Sequence, residues 1–222
     1  MHTDQILDAG MQRPANLDIE SIKKIYGGYS RLYDALFKRF FFPRIKSAIS
    51  TMDIKPGERV LDLGVGTGLS FSEFPSHCKV IGIDISGEML KQAKQKINEK
   101  GFHNIKILGM DAMRCGFLDN SFDKVFISHV VSVIPDPYSM MEEAKRVCRP
   151  GGDIVVVNHF KSSIRLIEKV ERIINPMCKR IGWRSDMCLN EFIKRSGIHV
   201  NHVYTLKKLD FWHIVFAKNV KD

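Results

Sequence analysis

Long apolar runs are missing from this chain. No stretch approaches the ~20 consecutive apolar residues that a helix needs to span a bilayer. The N-terminus, MHTDQILDAGMQRPANLD, lacks the apolar core of a secretory leader, so the expected location is the cytoplasm. Paired cysteines are missing as well. The five present, Cys78, Cys115, Cys148, Cys178 and Cys188, are odd in number and form no CxxC, which suggests neither a disulfide framework nor a zinc site. They read as reduced thiols, and no metal is expected. Internal repeats and low-complexity linkers are also absent, and 222 residues suit one domain, 1–222, with a full-sized core.

Charge is plentiful but uneven. The formal net charge is +9, yet residues 21–46 carry seven Lys and Arg against one Asp, and residues 161–184 carry seven against two Glu. The rest of the chain is therefore slightly acidic, and the basic character belongs to two segments.

Between those segments, apolar runs alternate with helical patterns. RVLDLGVG (59–66) and VIGID (80–84) read as strands, with Leu69, Phe71 and Phe74 as the inner face of a short helix between them. After Ser86, a capping residue, the spacing of Met89, Leu90, Ala93 and Ile97 predicts an amphipathic helix that Gly101 stops. NIKILGMD (104–111) and FDKVFISHV (122–130) follow as strands, PYSMMEEAKRVC (137–148) as a helix, and RPGGDIVVVNHF as a tight turn and strand. Such alternation implies βαβ units and a mostly parallel sheet. VYTLKKLDFWHIVFAKN predicts a closing C-terminal hairpin within 198–219.

The chemistry concentrates at LDLGVGTGLS, Leu61–Ser70. Glycines at 64, 66 and 68 let the backbone turn sharply and approach a ligand. A dinucleotide fingerprint would put its third glycine at 69, where Leu69 stands, so the spacing is GxGxG and not GxGxxG. Asp62 is placed to accept a hydrogen bond from an ammonium at the loop. Asp84, at the end of the second strand, can clasp a ribose diol, and Asp111 follows the third. Three carboxylates at successive strand ends converge where ligands of parallel sheets bind.

LDLGVGTG, VIGIDIS, GMDAM, FDKVFISHV and KRVCRPGGDIVVVNHF resemble the successive motifs of class I S-adenosylmethionine-dependent methyltransferases, over about residues 55–160. The resemblance implies a Rossmann-like α/β fold with a seven-stranded, mostly parallel sheet and a C-terminal antiparallel hairpin. It implies S-adenosylmethionine as cofactor, leaving as S-adenosylhomocysteine. Asp62 and the Gly64–Gly66–Gly68 loop would hold the methionine moiety and Asp84 the ribose. Ile85 and Met89 would flank the adenosine, Asp111, Ala112 and Met113 would face the adenine, and Tyr33 and Ser128 would complete the cofactor site. IYGGYSRLYDALF, GVGTGLS, HVVSVIPDP and VVNHF are similar to soluble bacterial phosphatidylethanolamine N-methyltransferases. Relatives that methylate quinone carbons share the core and a pair like Tyr33-Asp34, so a quinone precursor or another small acceptor is the alternative.

Against that family background, nucleic-acid acceptors lose support. The (D/N/S)PP(Y/F) motif of base-amino methyltransferases is replaced by SHVVSVIPDP, and Cys148 lies in VCRP rather than a Pro-Cys pair. A phospholipid amine is chemically consistent. Its ammonium, with a pKa near ~10.4, sits about three units from neutrality at pH 7, roughly 4 kcal/mol that a dry pocket reduces. His129 is the candidate proton acceptor, with Tyr26 and Tyr29 roofing the site, and His159 and Arg184 are candidate contacts to the lipid phosphate.

The helical stripe Ile25, Tyr29, Leu32, Leu36, Phe37, Phe40 and Phe41 is interrupted by Gly27-Gly28, a hinge, and Pro43 suits the start of a following helix. Phe40, Phe41 and Phe42 cannot all face one side of a helix. Residues 17–50 are therefore read as lid and membrane-contact helices, 55–160 as cofactor core, and 161–190 as a basic substrate and membrane segment. An aromatic, basic rim suits an anionic surface on the inner membrane face, with no obligate protein partner.

Overall fold

The computed structural model describes residues 30–161, 187–207 and 210–221, and for residues 30–40 the helix backbone alone. Seven strands form one sheet: β1 (Arg59–Leu63), β2 (Lys79–Asp84), β3 (Ile105–Gly109), β4 (Phe122–Ser128), β5 (Cys148–His159), β6 (His199–Tyr204) and β7 (Trp212–Lys218), in the order β3-β2-β1-β4-β5-β7-β6. The first five run parallel, whereas β7 pairs antiparallel with both β5 and β6. This is the expected Rossmann-like sheet with its C-terminal hairpin. The strand order reverses between β1 and β4, where Leu63 lies beside Ile127. Ligands of open parallel sheets bind in the crevice at that reversal.

The helices form where capping and apolar spacing agree. In α2 (Gly87–Lys100) the Ser86 hydroxyl accepts from the Met89 amide at 3.4 Å, and Gly101 ends the helix in the left-handed region. In α3 (Pro137–Val147) the Asp136 carboxylate accepts from the Tyr138 and Ser139 amides, Pro137 opens the first turn, and Met140, Met141, Ala144 and Val147 are buried.

Three readings are corrected. α1 runs unbroken over Ser30–Thr51 with Pro43 inside it, so no second helix begins at that proline. Phe41, Ile45, Ala48, Ile49 and Met52 recur at helical spacing on both sides of Pro43 and pack toward the sheet. Pro43 itself is exposed, which keeps its ring off the packed face of the helix. β5 begins at Cys148, with RPGG incorporated as a register shift opposite Phe122 and Lys124. A short helix over 189–196 was not anticipated. Here α4 (Leu189–Ser196) buries Phe192 and Ser196 and stops at left-handed Gly197. Its signal, Leu189, Phe192, Ile193 and Ser196 before a glycine, is readable in the sequence.

Two cores sandwich the sheet. On one face α1 and the Phe71–Glu73 turn cover Val60, Val155, Val157, Ile214 and Phe216; on the other, α3 and α4 cover Leu63, Ile127, Ile154, Val156 and Val215. Alternation along β5 and β7 therefore sends neighbouring side chains at their ends to opposite faces. Among the described residues no helix is long and apolar enough to cross a membrane.

Candidate active site

The loop after β1 is held in its turn by the end of β2. The Gly64 and Val65 amides both donate to the Ile83 carbonyl at 2.9 Å, and the Gly66 amide donates to Asp84 Oδ2 at 2.8 Å. The other oxygen of that carboxylate, Oδ1, accepts from the Ser86 amide at 2.8 Å. Asp84 thus fixes the glycine loop and the start of α2 together, with lone pairs left for a ligand. Burial raises its pKa, and the amides around it oppose that rise. Asp62 lies beneath the loop, 1 % exposed, with the Ser70 hydroxyl donating to it. Burial pushes its carboxyl up to about 7; the Ser70 hydrogen bond pulls down and the neighbouring Asp84 adds to the rise.

A cavity of about 180 Å³ opens at the β1–β4 reversal, several times the ~30 Å³ share of one water and so sized for a ligand. Gly64, Gly66, Asp84, Ile85 and Met89 line one side of it. Asp111, Ala112, Met113, Ser128 and His129 line the rest of the expected set. The Asp111 carboxylate is turned to the Met113 amide at 2.8 Å, which shapes the loop after β3. Asp62 and Gly68 stand behind the wall. The Tyr26, Tyr29 and Arg184 expectations and the Gly27-Gly28 hinge lie outside the described residues, as does the Tyr33 side chain.

His129 follows β4 with φ of 60°, a left-handed conformation that histidine tolerates better than most residues. Its amide donates to the Val157 carbonyl at 2.7 Å, anchoring the turn to β5. Its Nε2 is buried with no hydrogen-bond partner. Burial first, then the Arg44 and His159 charges, hold the imidazole neutral with a pKa down to about 3. His159 is buried on the α1 face against Trp212, ring centroids 5.3 Å apart, and is not part of the cavity wall. Burial and the nearby His213 bring its pKa down to about 4.

The cavity's outer wall was missed. Phe41 and Ile45 of α1 line it, and the Phe41 ring lies edge-on to His129 with centroids 4.1 Å apart. Within FFF the structure gives Phe41 a definite task, whereas the sequence set it only beside Phe40 on one apolar stripe. Met110, Val130, Val133 and Ile134 supply further apolar lining. Of these, Val130, Val133 and Ile134 fall in the HVVSVIPDP stretch and were legible only as a motif.

Comparisons with known proteins agree with this architecture. The family model described as "Methyltransferase domain" matches residues 61–156. A phosphatidylethanolamine N-methyltransferase of Cereibacter sphaeroides is 36% identical over 175 residues, covering 78% of this chain and 85% of that protein. A demethylmenaquinone methyltransferase of Geobacillus stearothermophilus is 33% identical over 141 residues, 60% of each chain. Among solved structures, a SAM-dependent methyltransferase from Aquifex aeolicus superposes with a TM-score of 0.66 over 92% of this chain and 100% of that one, at 22% identity.

Proposed function

Since the chain belongs to the class I S-adenosylmethionine-dependent methyltransferases, we propose that it methylates the amine of phosphatidylethanolamine at a membrane surface. The observation that carries the acceptor is the 36% identity to a phosphatidylethanolamine N-methyltransferase, which extends over 85% of that protein and so beyond the shared cofactor core.

The site fits the cofactor. Gly66, at φ of 55°, would point a Cβ into space that no atom of the described residues fills within 4 Å, which leaves the loop backbone open to a ligand. Asp84 stands at the strand end with acceptor capacity to spare for ribose hydroxyls. Ile85, Met89, Ala112 and Met113 offer apolar faces for an adenine ring. When bound, S-adenosylmethionine supplies an electrophilic methyl that passes to a nitrogen lone pair, the carbon–sulfur bond breaking with its electrons left on sulfur and the nitrogen's proton released.

The residues of this chain prepare that transfer. Burial of the cavity wall disfavours the charged form of an entering ammonium. His129 lines the cavity, is held neutral and has a buried Nε2 without a partner, so on this reading it accepts a hydrogen bond from the amine and aims the lone pair rather than storing a proton. We assign Tyr26, Tyr29 and Tyr33 to the roof of the site and Arg184 to the phosphate, whereas His159, buried against Trp212, is withdrawn from that role; Lys46, exposed on α1, belongs to the basic segments 17–50 and 161–190. Each such cation near an anionic surface contributes about 1 kcal/mol, enough for loose peripheral attachment to the inner membrane face.

Labelled methyl transfer to vesicles of phosphatidylethanolamine with anionic lipid, followed by separation of the lipids, tests the acceptor. Mono-, di- or trimethylated product is expected. No labelled lipid, with cofactor binding intact, sinks the phospholipid reading and leaves a quinone precursor, the chemistry named for the Geobacillus stearothermophilus relative, which this chain matches over 60% of that protein's length.

Asp62 gives an independent test of the methionine end. Its folded pKa of about 7 lies above the ordinary 3.8, so its protonated form stabilises the fold below pH 4, and that contribution is lost as pH rises to about 7. Asp62→Asn removes the buried charge and keeps an acceptor for Ser70. Its melting temperature should exceed wild type above pH 7 and match it below pH 4. If Asp62 holds the cofactor's ammonium, calorimetry should show affinity weakened by roughly tenfold to a hundredfold; unchanged affinity removes that role.

A further inference from the structure

α1 is fastened to the far end of the chain by the Ser47 and Thr51 hydroxyls against the Tyr204 hydroxyl and, a turn earlier, by a buried fork at Arg44. Arg44 Nη2 donates to Asp210 Oδ1 at 2.7 Å, and Nε to Oδ2 at 3.1 Å, across 166 positions of sequence. The two side chains are 12% and 1% exposed. Asp210 Oδ1 also accepts from the Trp212 amide at 3.2 Å, and the Arg44 guanidinium lies over the Trp212 ring, 4.6 Å from its centroid. One turn earlier on the same helix, Phe41 meets Trp212 edge-on at 5.5 Å and His129 at 4.1 Å. The same Phe41 is a wall of the cavity.

We propose that the Arg44–Asp210–Trp212 clamp positions Phe41, setting the outer wall of the cofactor cavity and the cover over His129. The inference rests on the reading of this cavity as the cofactor seat. Its geometry is specific. A planar fork held by a carboxylate and stacked on an indole fixes the helix in rotation as well as in distance, which a lysine's point charge cannot do. Phe41 lies about one turn from Arg44, so a small rotation of α1 there slides its ring off the imidazole. Arg44 and Asp210 are positioning residues acting through Phe41.

A coupling experiment on the full chain reads the clamp. Removing Arg44 alone would leave Asp210 charged and buried, a change that threatens folding. The fork is therefore removed as the neutral pair Arg44→Met with Asp210→Asn, in which the amide still accepts from Trp212. S-adenosylhomocysteine affinity, measured by calorimetry, should fall about tenfold in this pair and about tenfold in Phe41→Ala. Combining all three substitutions should weaken binding no further than Phe41→Ala does, because the clamp acts through that ring. Arg44→Lys, which keeps the charge and loses the fork, should regain thermal stability without regaining affinity. Additive losses, or affinity that simply follows melting temperature, would reduce the clamp to a staple between chain ends and overturn the proposal. A wild-type chain that does not bind S-adenosylhomocysteine would overturn the cofactor seat and the clamp together. Failure to methylate lipid touches neither, since no acceptor enters this measurement.

Discussion

Gly64→Ala is expected to keep the sheet and to bind S-adenosylhomocysteine about 100-fold more weakly than wild type, the sum of two costs at one atom. Gly64 sits at φ of 79°, where a side chain adds about 1–2 kcal/mol of strain. Its new Cβ would also run into Val130 Cγ2 and stand 3.1 Å from Cγ1, overpacking that costs about 1–3 kcal/mol. The two residues meet because β1 and β4 are neighbours at the reversal of strand order, so their following loops share one crevice. Relief of the clash displaces either the glycine loop or the turn that carries His129, and both are cavity walls. Val130→Ala in the same chain removes both γ carbons and should restore part of the affinity, leaving the backbone strain. Gly66→Ala separates ligand from protein, because its Cβ meets no atom of the described residues; its loss of affinity should not respond to Val130→Ala. If Gly64→Ala binds as wild type does, the loop is not where the cofactor rests.

What the sequence revealed and what it hid divide along separation in the chain. The strands, the caps at Ser86 and Gly101, and the carboxylate Asp84 were legible because their signals lie within a few residues of one another. The glycine loop was legible for the same reason, its spacing being a local constraint on the backbone. The pairing of Arg44 with Asp210 carries no such signal: two ordinary charges in basic and mixed segments meet only after the sheet brings β7 under α1. Counting Arg44 with a membrane-facing basic segment was the natural consequence, and the structure sets its guanidinium inward on a carboxylate and an indole instead. Pro43 misled for a related reason. Its local preference for a helix start was outweighed by the apolar stripe from Phe41 to Met52, which buries one continuous face.

His129 yields the second large effect. An imidazole whose pKa lies at about 3 is neutral throughout the range in which an enzyme of this kind works, and a proton placed on it would sit in a buried site beside the Arg44 cation. A general base must hold that proton through the transition state; a hydrogen-bond acceptor need not. The buried Nε2 without a partner is costly unless something donates to it, and an amine N–H entering the cavity is a donor of the right kind. With phosphatidylethanolamine vesicles as acceptor, His129→Ala should lower kcat about 100-fold, the loss of one hydrogen bond to a developing cation. His129→Gln supplies an acceptor at similar reach and shares the backbone strain of φ 60°, so it should stay within about tenfold of wild type. The pH profile of kcat should show no limb near the ordinary histidine value of about 6.5, because this group titrates at about 3. A glutamine variant as slow as alanine, together with a limb in the wild-type profile that both variants abolish, would return His129 to the role of base. The burial that keeps it neutral would then have to be relieved when the acceptor enters, with Phe41 moving first.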